Sequence, residues 1–307
     1  MISDIRLRYL FESARLETMR AASDKLDVAT SSVSRQIAEL EKDLGIALIE
    51  KGRRRIKLTE AGEAAYLYYR DKLAQEEAFL SKIDELKNMR TGNIYLALGS
   101  AFISPQFSEM LQDFMEKHPH INIHIITDTT ASLMQKITDD EAHIGLVFAM
   151  PHDPKIRAKL TLKQPLKVIV NSKHKLSSRK TIKLSDLLDE KIGLPENEFR
   201  IRQVIRSAEQ EEGVFLNASM TTNSLDLLSD FVVSGRGISI LPELVVQRGL
   251  MNGELKAIPT NNKQFNSTES YLITRIGRQL PIAAHHLSMR IESYLKNTMK
   301  ALGTQPG

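Results

Sequence analysis

The stretch Thr30-Ser31-Ser32-Val33-Ser34-Arg35-Gln36-Ile37-Ala38-Glu39-Leu40-Glu41-Lys42-Asp43-Leu44-Gly45 decides how the N-terminal end of this chain folds. Val33, Ile37, Leu40 and Leu44 recur at i, i+4, i+7 and i+11, a single apolar stripe on a helix, and Gly45 is a natural C-cap stop. Thr30, Ser31 and Ser32 are cap-forming types that open it. Upstream, Thr18 offers an N-cap for a shorter helix ending near Leu26, with Ala21-Ala22 small enough for close packing and Asp27-Val28-Ala29 as the turn. Further upstream still, Ser3 or Asp4 can cap a first helix whose Leu7, Leu10, Phe11 and Ala14 share a face. Two short helices joined by a tight turn, the second opening on small polar residues, make the helix-turn-helix pattern. With Val33 and Ile37 turned inward, Thr30, Ser31, Ser34 and Arg35 face elsewhere. The N-terminal end of a recognition helix is what reaches base edges, and hydroxyls and a guanidinium suit bases and phosphates. These four, with Thr18 and Ser32 beside them, are candidate DNA contacts. An ordinary helical hairpin with a polar rim satisfies the same spacing.

Working outward, Ile46, Leu48 and Ile49 precede a run, Lys51 to Lys57, in which five of seven residues are cationic and none anionic. Ile56 and Leu58 then alternate. This predicts a small β-wing with Arg53, Arg54 and Arg55 at its tip, a sequence-independent phosphate grip beside the recognition helix. Taken alone, such a run is equally a solvated face.

Ala21-Ala22, Val33-Ser34-Arg35-Gln36-Ile37, Leu40-Glu41-Lys42-Asp43-Leu44-Gly45 and Leu58-Thr59-Glu60-Ala61-Gly62 together resemble the DNA-binding domain of LysR-type transcriptional regulators, over residues 5 to 62. The chain departs from that family at Glu17 (usually Gly), Met19 (usually Phe), Ile49 (frequently Phe) and Thr30-Ser31 (commonly Gln-Pro). The last of these bears on base preference.

Thr59 can cap the next helix, and Glu60 and Glu63 suit its first turns. No Pro and no further Gly intervene before Gly92, which predicts a rod of roughly 30 residues, about 45 Å long. Leu73 and Leu80 lie seven apart, and Phe79, Ile83 and Leu86 follow at i, i+4 and i+7. The stripe needs a partner, either the same helix of a second subunit or the chain's own C-terminal domain. The resemblance implies the former, giving a homodimer or homotetramer.

After Thr91-Gly92-Asn93, strand and helix patterns alternate. Strands are expected near 94–99, 121–127, 144–148, 166–171, 192–194, 238–241 and 271–274, and helices near 105–117, 133–138, 184–188, 201–212 and 225–234. Alternation of this kind predicts an α/β domain with largely parallel sheets, in which ligands sit beyond the carboxyl ends of strands. His174-Lys175-Leu176, Leu184-Ser185-Asp186-Leu187 and Gly235-Arg236-Gly237-Ile238-Ser239-Ile240-Leu241-Pro242 resemble the family's effector-binding domain, which is similar to periplasmic solute-binding proteins: two α/β lobes joined by two crossovers, here expected near 160–165 and 258–265. The expected organisation is a winged helix-turn-helix over 1–59, a dimerising linker helix over 60–90 and an effector-binding domain over 91–307, with lobe I near 91–161 and 266–307 and lobe II near 162–265. His143 stands where the family usually has Asp. Gly235-x-Gly237 follows a helix and precedes a strand, the reverse of a dinucleotide loop, so a C-cap and a close turn are expected there.

Strand ends supply the candidate effector residues: Ser100 and Phe102, Thr129 and Thr130, Phe148 (with Ala149), Pro195, Arg200, Thr222 and Asn223. Hydroxyls, helix amides and an arginine in one cleft favour a small organic anion, and the resemblance points especially to Ser100, Thr129 and Thr222. Each hydroxyl can instead merely cap its helix. Glu196, Glu198, Arg200 and Arg202 crowd together and leave the local charge open.

The 307 residues contain no Cys, excluding disulfide frameworks, thiol redox sensing and thiolate metal sites. The eight His residues include His118, His120, His124 and the pair His285-His286, but no carboxylate completes a metal-binding spacing. No nucleophile motif appears. No apolar run approaches the roughly 18 residues of a membrane span, and Met1 to Arg6 lack a signal core, so a cytoplasmic location is expected. The formal charge is +4, compatible with nucleic acid. The expected function is an effector-modulated, sequence-specific DNA-binding regulator: no enzyme and no cofactor, with double-stranded DNA, a small-molecule effector, another copy of itself and RNA polymerase as partners and no membrane association. A solute-binding-fold carrier or enzyme with an accessory helical domain is the alternative.

Overall fold

The computed structural model describes residues 3–50, 55–86, 91–148 and 153–301. Lys51, Arg53 and Arg54 of the expected wing tip, residues 87–90 of the expected linker helix and Ala149 lie outside the described residues. The chain forms two compact units, residues 1–80 with 277–279, and 81–276 with 280–307.

The first unit is built on three helices, α1 (Asp4–Arg15), α2 (Met19–Leu26) and α3 (Thr30–Leu44), followed by α4 (Glu60–Leu86). Leu7, Leu10 and Phe11 of α1 meet Val33, Ile37 and Leu40 of α3 around Ala22 and Leu48. Tyr66 and Tyr69 of α4 pack their rings on Phe11, at 4.8 and 5.5 Å. Thr18 caps α2, accepting from the Ala21 amide at 3.1 Å. The start of α3 differs from expectation: Ala29 takes the N-cap position without a side-chain bond, and the Thr30 hydroxyl turns back to Ser23 Oγ at 2.9 Å. Gly45 closes α3 at φ 69.

The wing is a minimal antiparallel pair. Ile49 bridges Leu58 and the Glu50 amide donates to Lys57 O at 2.9 Å. The Glu41 carboxylate anchors it to α3, accepting from the Leu48 and Ile49 amides at 2.7 and 3.1 Å. Glu17 anchors the returning strand. Its carbonyl accepts from the Ile56 amide at 2.8 Å and its carboxylate from Arg55 at 2.8 Å. Glu17 sits at φ 58, a left-handed conformation that costs a residue with a Cβ about 1–2 kcal/mol. The Arg55 pair is 77% and 59% exposed, and such pairs contribute about 0–1 kcal/mol, so the backbone bond is the stronger anchor. Gly62 opens α4 against the wing: a Cβ there would stand 2.0 Å from Leu48 O.

The second unit holds two five-stranded sheets. Lobe I contributes β1 (Gly92–Leu98), α5 (Pro105–Lys117), β2 (Ile121–Ile126), α6 (Thr130–Thr138), β3 (Ile144–Val147) and β4 (Ile156–Lys163). Lobe II contributes β5 (Leu166–Asn171), β6 (Ile192–Pro195), α7 (Arg200–Glu212), β7 (Ala218–Thr222), α8 (Leu225–Val233), β8 (Ile238–Pro242), α9 (Gln247–Met251), β9 (Leu255–Ile258) and α10 (Lys263–Asn266). The chain returns to lobe I through β10 (Glu269–Arg275) and α11 (Ile282–Ala301). Strand order is β2-β1-β3-β10-β4 in the first sheet and β7-β6-β8-β5-β9 in the second. The sheets are mixed rather than largely parallel. β1, β2 and β3 pair in parallel, as do β6, β7 and β8, while β10 and β5 run antiparallel to both neighbours. That follows from the strands entering each lobe from the other.

α5 and α11 cover one face of the first sheet and α6 the other; α7 and α8 line the core of lobe II. Residues 160–163, expected in the first crossover, still belong to β4, and the chain changes lobe at Gln164-Pro165. It returns across 259–268. The two crossovers are bonded to each other: the Gln164 amide donates to Thr268 O at 2.9 Å and Thr268 Oγ1 donates to Gln164 O at 2.5 Å. The expected helix at 184–188 is a short 3-10 turn over Leu184–Leu187. Gly235, at φ 69, ends the α8 segment, and a Cβ on Gly237 would meet Lys191 O at 2.3 Å, the expected close turn. His143 is buried; Nδ1 accepts from the Tyr95 amide at 3.2 Å and its amide donates to Tyr95 O at 2.8 Å, a side-chain bond to the main chain beside β1.

Gly62→Ala should lower stability by about 1–3 kcal/mol, because the added methyl meets a backbone oxygen rather than a yielding side chain. Glu17→Gly should instead raise it by up to about 1 kcal/mol by removing the left-handed penalty. Urea unfolding of the two variants against wild type checks both, and a shift of either in the opposite direction contradicts the account.

Candidate DNA-binding surface and interlobe cleft

Helix α3 divides cleanly by burial. Val33, Ile37 and Leu40 are buried, while Ser31, Ser34 and Arg35 are exposed on the opposite side. Arg35 has no carboxylate partner among the described residues. Thr30 is exposed, with its hydroxyl engaged by Ser23, and Ser32 is half-buried. Thr18 Oγ1 accepts from Ala21 and keeps its own proton to donate. The main chain adds donors here that an inventory of side-chain types overlooks. The first amides of a helix have no intrahelical partner, no side chain caps those of α3, and no acidic residue stands in its first turn. The helix therefore offers N–H groups and the positive end of its dipole beside Arg35. The sequence signal for this is Ala29, a non-capping type directly before Thr30. Of the expected wing arginines, Arg55 is described, exposed and paired with Glu17.

The second candidate site lies between the lobes. Ser100, Asp128, Thr129, Phe148, Phe199 and Arg200 converge on one crevice, with Thr130 also on its wall. β1, β2 and β3 deliver the lobe I residues from their carboxyl ends, and the start of α7 delivers Phe199 and Arg200. Phe102 is buried in the lobe I core and Pro195 within lobe II. Neither lines the crevice, nor do Thr222 and Asn223, whose segment turns into α8: Thr222 Oγ1 accepts from the Ser224 amide at 3.1 Å.

The helix termini facing the crevice differ in what they offer. Asp128 already occupies the start of α6, accepting from the Thr129 amide and Ser132 Oγ, each at 2.6 Å. Those bonds, Ser132 first, hold its carboxyl below the usual range. Thr129 Oγ1 caps the same helix through Ser132 N at 3.4 Å, so its hydroxyl is a cap before it is a ligand group. Ser224 caps α8 in the same way. The 13-residue α7 has no side-chain cap, leaving its amides beside Arg200. The crevice offers about 30 Å³, room for a few water molecules at most.

Among the described residues no group of three or more His, Asp or Glu could hold a metal, and no helix is long and apolar enough to cross a membrane.

Comparison with known proteins agrees with this two-part layout. Residues 5–63 match the bacterial regulatory helix-turn-helix protein, lysR family, and residues 87–294 match the LysR substrate binding domain. An uncharacterized HTH-type transcriptional regulator, YwbI of Bacillus subtilis, is 27% identical over 97% of this chain and 98% of its own. Among solved structures, a full-length OxyR point mutant from Pseudomonas aeruginosa superposes with a TM-score of 0.63 at 18% identity, covering 98% of this chain and 95% of that one. The regulatory domain of CcmR from Synechocystis PCC6803, in complex with 2-PG, gives 0.57 at 18% identity over 68% of this chain and 98% of that one. With a helix-turn-helix at one end and a two-lobed domain making up most of the rest, both matched by that family's own signatures, the chain belongs to the LysR family of bacterial transcriptional regulators, DNA-binding proteins that carry an effector-binding domain.

Proposed function

We propose that Ser31, Ser34 and Arg35 read the major groove, with the uncapped start of α3 and the basic wing holding phosphates. The observation that carries this is the exposed, unpaired guanidinium of Arg35 on a helix whose opposite side is wholly buried. Thr18, Thr30 and Ser32 stand at the edge of that surface. Arg53 and Arg54 enter through their sequence position alone, as phosphate contacts beside Arg55.

The chain works as a dimer joined through α4. Its 27 residues make a rod about 40 Å long. Tyr66 and Tyr69 are covered within the first unit, whereas Tyr68, Phe79 and Leu80 are more than half exposed, at 59, 61 and 54%, and Leu73 is 38% exposed. Large apolar side chains in series along one helix support a helical partner.

The effector binds between the lobes through a carboxylate or similar anionic group placed on Arg200 and the uncapped amides of α7, with Ser100 and Thr129 opposite. A crevice of about 30 Å³ admits no organic molecule without parting of the lobes, and the two crossovers are where they part. Binding thereby changes the angle between lobes, and a ligand shifts that equilibrium only by its difference in affinity for the two arrangements.

Arg35→Ala should weaken operator binding by about 1–3 kcal/mol, the value of one bidentate base contact, without lowering the melting temperature. A gel-shift titration giving wild-type affinity would remove Arg35 from the interface. Leu73→Asp with Leu80→Asp should yield a monomer in sedimentation at micromolar concentration, since a buried unpaired carboxylate is costly; an intact dimer means that α4 is not the joint. Ser100→Leu should abolish the effector response of DNA-bound protein and leave DNA binding intact. Thr129→Val should do the same while costing about 1 kcal/mol of helix capping. An unchanged response in both variants places the effector elsewhere.

A further inference from the structure

A second cavity adjoins the crevice. It encloses about 260 Å³ and is lined by Phe148, Arg200, Val204, Gln264, Glu269 and Tyr271, with Ser267 and Thr268 of the second crossover at its edge. Phe148 and Arg200 line both spaces, so they form the wall between them. The volume lies below the roughly 300–1,000 Å³ of pockets for drug-sized ligands and suits a small metabolite.

The charges in this cavity are set apart and unmatched. Arg200 touches only a neutral partner, Gln203 Oε1, at 3.4 Å, and has no carboxylate partner among the described residues. Glu269 accepts a hydrogen bond from the Tyr271 phenol and has no cationic partner among the described residues. Lys163 is its cross-strand neighbour, yet the two form no ion pair and Lys163 is exposed. Tyr271 and Glu269 share one face of β10, two residues apart. Burial first, and the Glu269 carboxylate second, push the Tyr271 phenol far above its ordinary range, so it stays a donor and holds the carboxylate in place. Phe148 and Val204, both buried, supply the apolar wall. The neighbouring crevice, which Arg200 also lines, carries a second carboxylate, Asp128, held below its usual range by its bonds to Ser132 and the Thr129 amide. One cation flanked by two carboxylates is a poor host for a simple anion and a matched host for a molecule carrying both charges.

We propose that the effector is a zwitterion of the α-amino acid class, its carboxylate on Arg200 and the amides of α7 and its ammonium on Glu269, with its side chain against Phe148 and Val204. This rests on reading the space between the lobes as the effector site, and adds the ligand's chemistry. Each end gains a charge-assisted hydrogen bond, and a ligand lacking the ammonium leaves Glu269 uncompensated. Thr268 ends the second crossover and Glu269 opens β10 directly after it, so a ligand held there bears on the segment that carries the chain back to lobe I.

The test is isothermal titration of the full chain with three sets of probes. These are the proteinogenic L-amino acids, the same compounds lacking the ammonium (propionate, lactate, succinate and their like), and simple amines lacking the carboxylate. At least one L-amino acid should bind about tenfold or more tightly than its deamino counterpart, a gap of about 1.4 kcal/mol. Glu269→Gln, which keeps the size of the side chain and an oxygen acceptor for Tyr271, should bring the pair to within about twofold of each other. Arg200→Gln should weaken every carboxylate probe. Deamino carboxylates binding as tightly as amino acids, no amino acid binding, or a preference that survives Glu269→Gln would each overturn the zwitterion. If deamino carboxylates bind best and Ser100→Leu abolishes them, the cleft remains the effector site and only the ligand class falls. If Ser100→Leu and Arg200→Gln leave the binding of all probes intact, the cleft reading falls as well.

Discussion

The effector-binding part of this molecule depends on the place where its chain changes lobe twice. Gln164 and Thr268 lie in different crossovers, more than a hundred residues apart in sequence, and bond to each other through both main chain and side chain. Both groups are buried, where an unmade hydrogen bond costs about 1–3 kcal/mol. The double change of lobe explains why the two sheets are mixed: the strands that enter and leave at this point run against their neighbours. It also places the carboxyl ends of β1, β2 and β3 opposite the start of α7. The crevice is thus a product of topology, and the side chains around it are tenants of positions the crossovers create.

Much of this is legible in the amino-acid order. The i, i+4, i+7 stripe of Val33, Ile37 and Leu40 locates α3, Gly45 its end, and Pro105 and Leu166 the starts of α5 and β5, because buried faces and capping types are local signals. The end of β4 reads as part of a crossover, and β7 and β9 do not emerge. β7 alternates half-buried with exposed positions and contains Ser219, Thr221 and Thr222, so neither an apolar run nor a clean apolar face marks it. β4 ends against Gln164-Pro165, punctuation that resembles a linker.

The candidate sites are legible in part, and for an instructive reason. Hydroxyls at strand ends are visible in a sequence, but whether each is engaged by its own helix is not. Thr129 and Ser224 cap, and Asp128 fills the start of α6, whereas α7 and α3 begin on Phe199 and Ala29 and leave their amides open. Thus the helices best suited to anions are those opening on the least polar residues, the reverse of what counting hydroxyls suggests. Glu269 and Tyr271 are invisible as a pair, since only the fold of β10 across lobe I brings them to the wall shared with Arg200.

The Gln164 side chain adds a last feature. Its Nε2 lies 3.0 Å from Met299 Sδ, so α11, a lobe I helix, holds the first crossover from behind. The next residue is Pro165, whose ring fixes its own φ and narrows the conformations open to Gln164. The first connection therefore has almost no torsional slack, while the second spans residues 259–268. The second connection, though longer, is no looser: Phe265 of α10 is fully buried in the lobe II core and Asn262 Nδ2 donates to Glu212 of α7 at 2.6 Å. The pair is therefore a double rivet: Met299 backs one connection from lobe I, and Phe265 seats the other in lobe II.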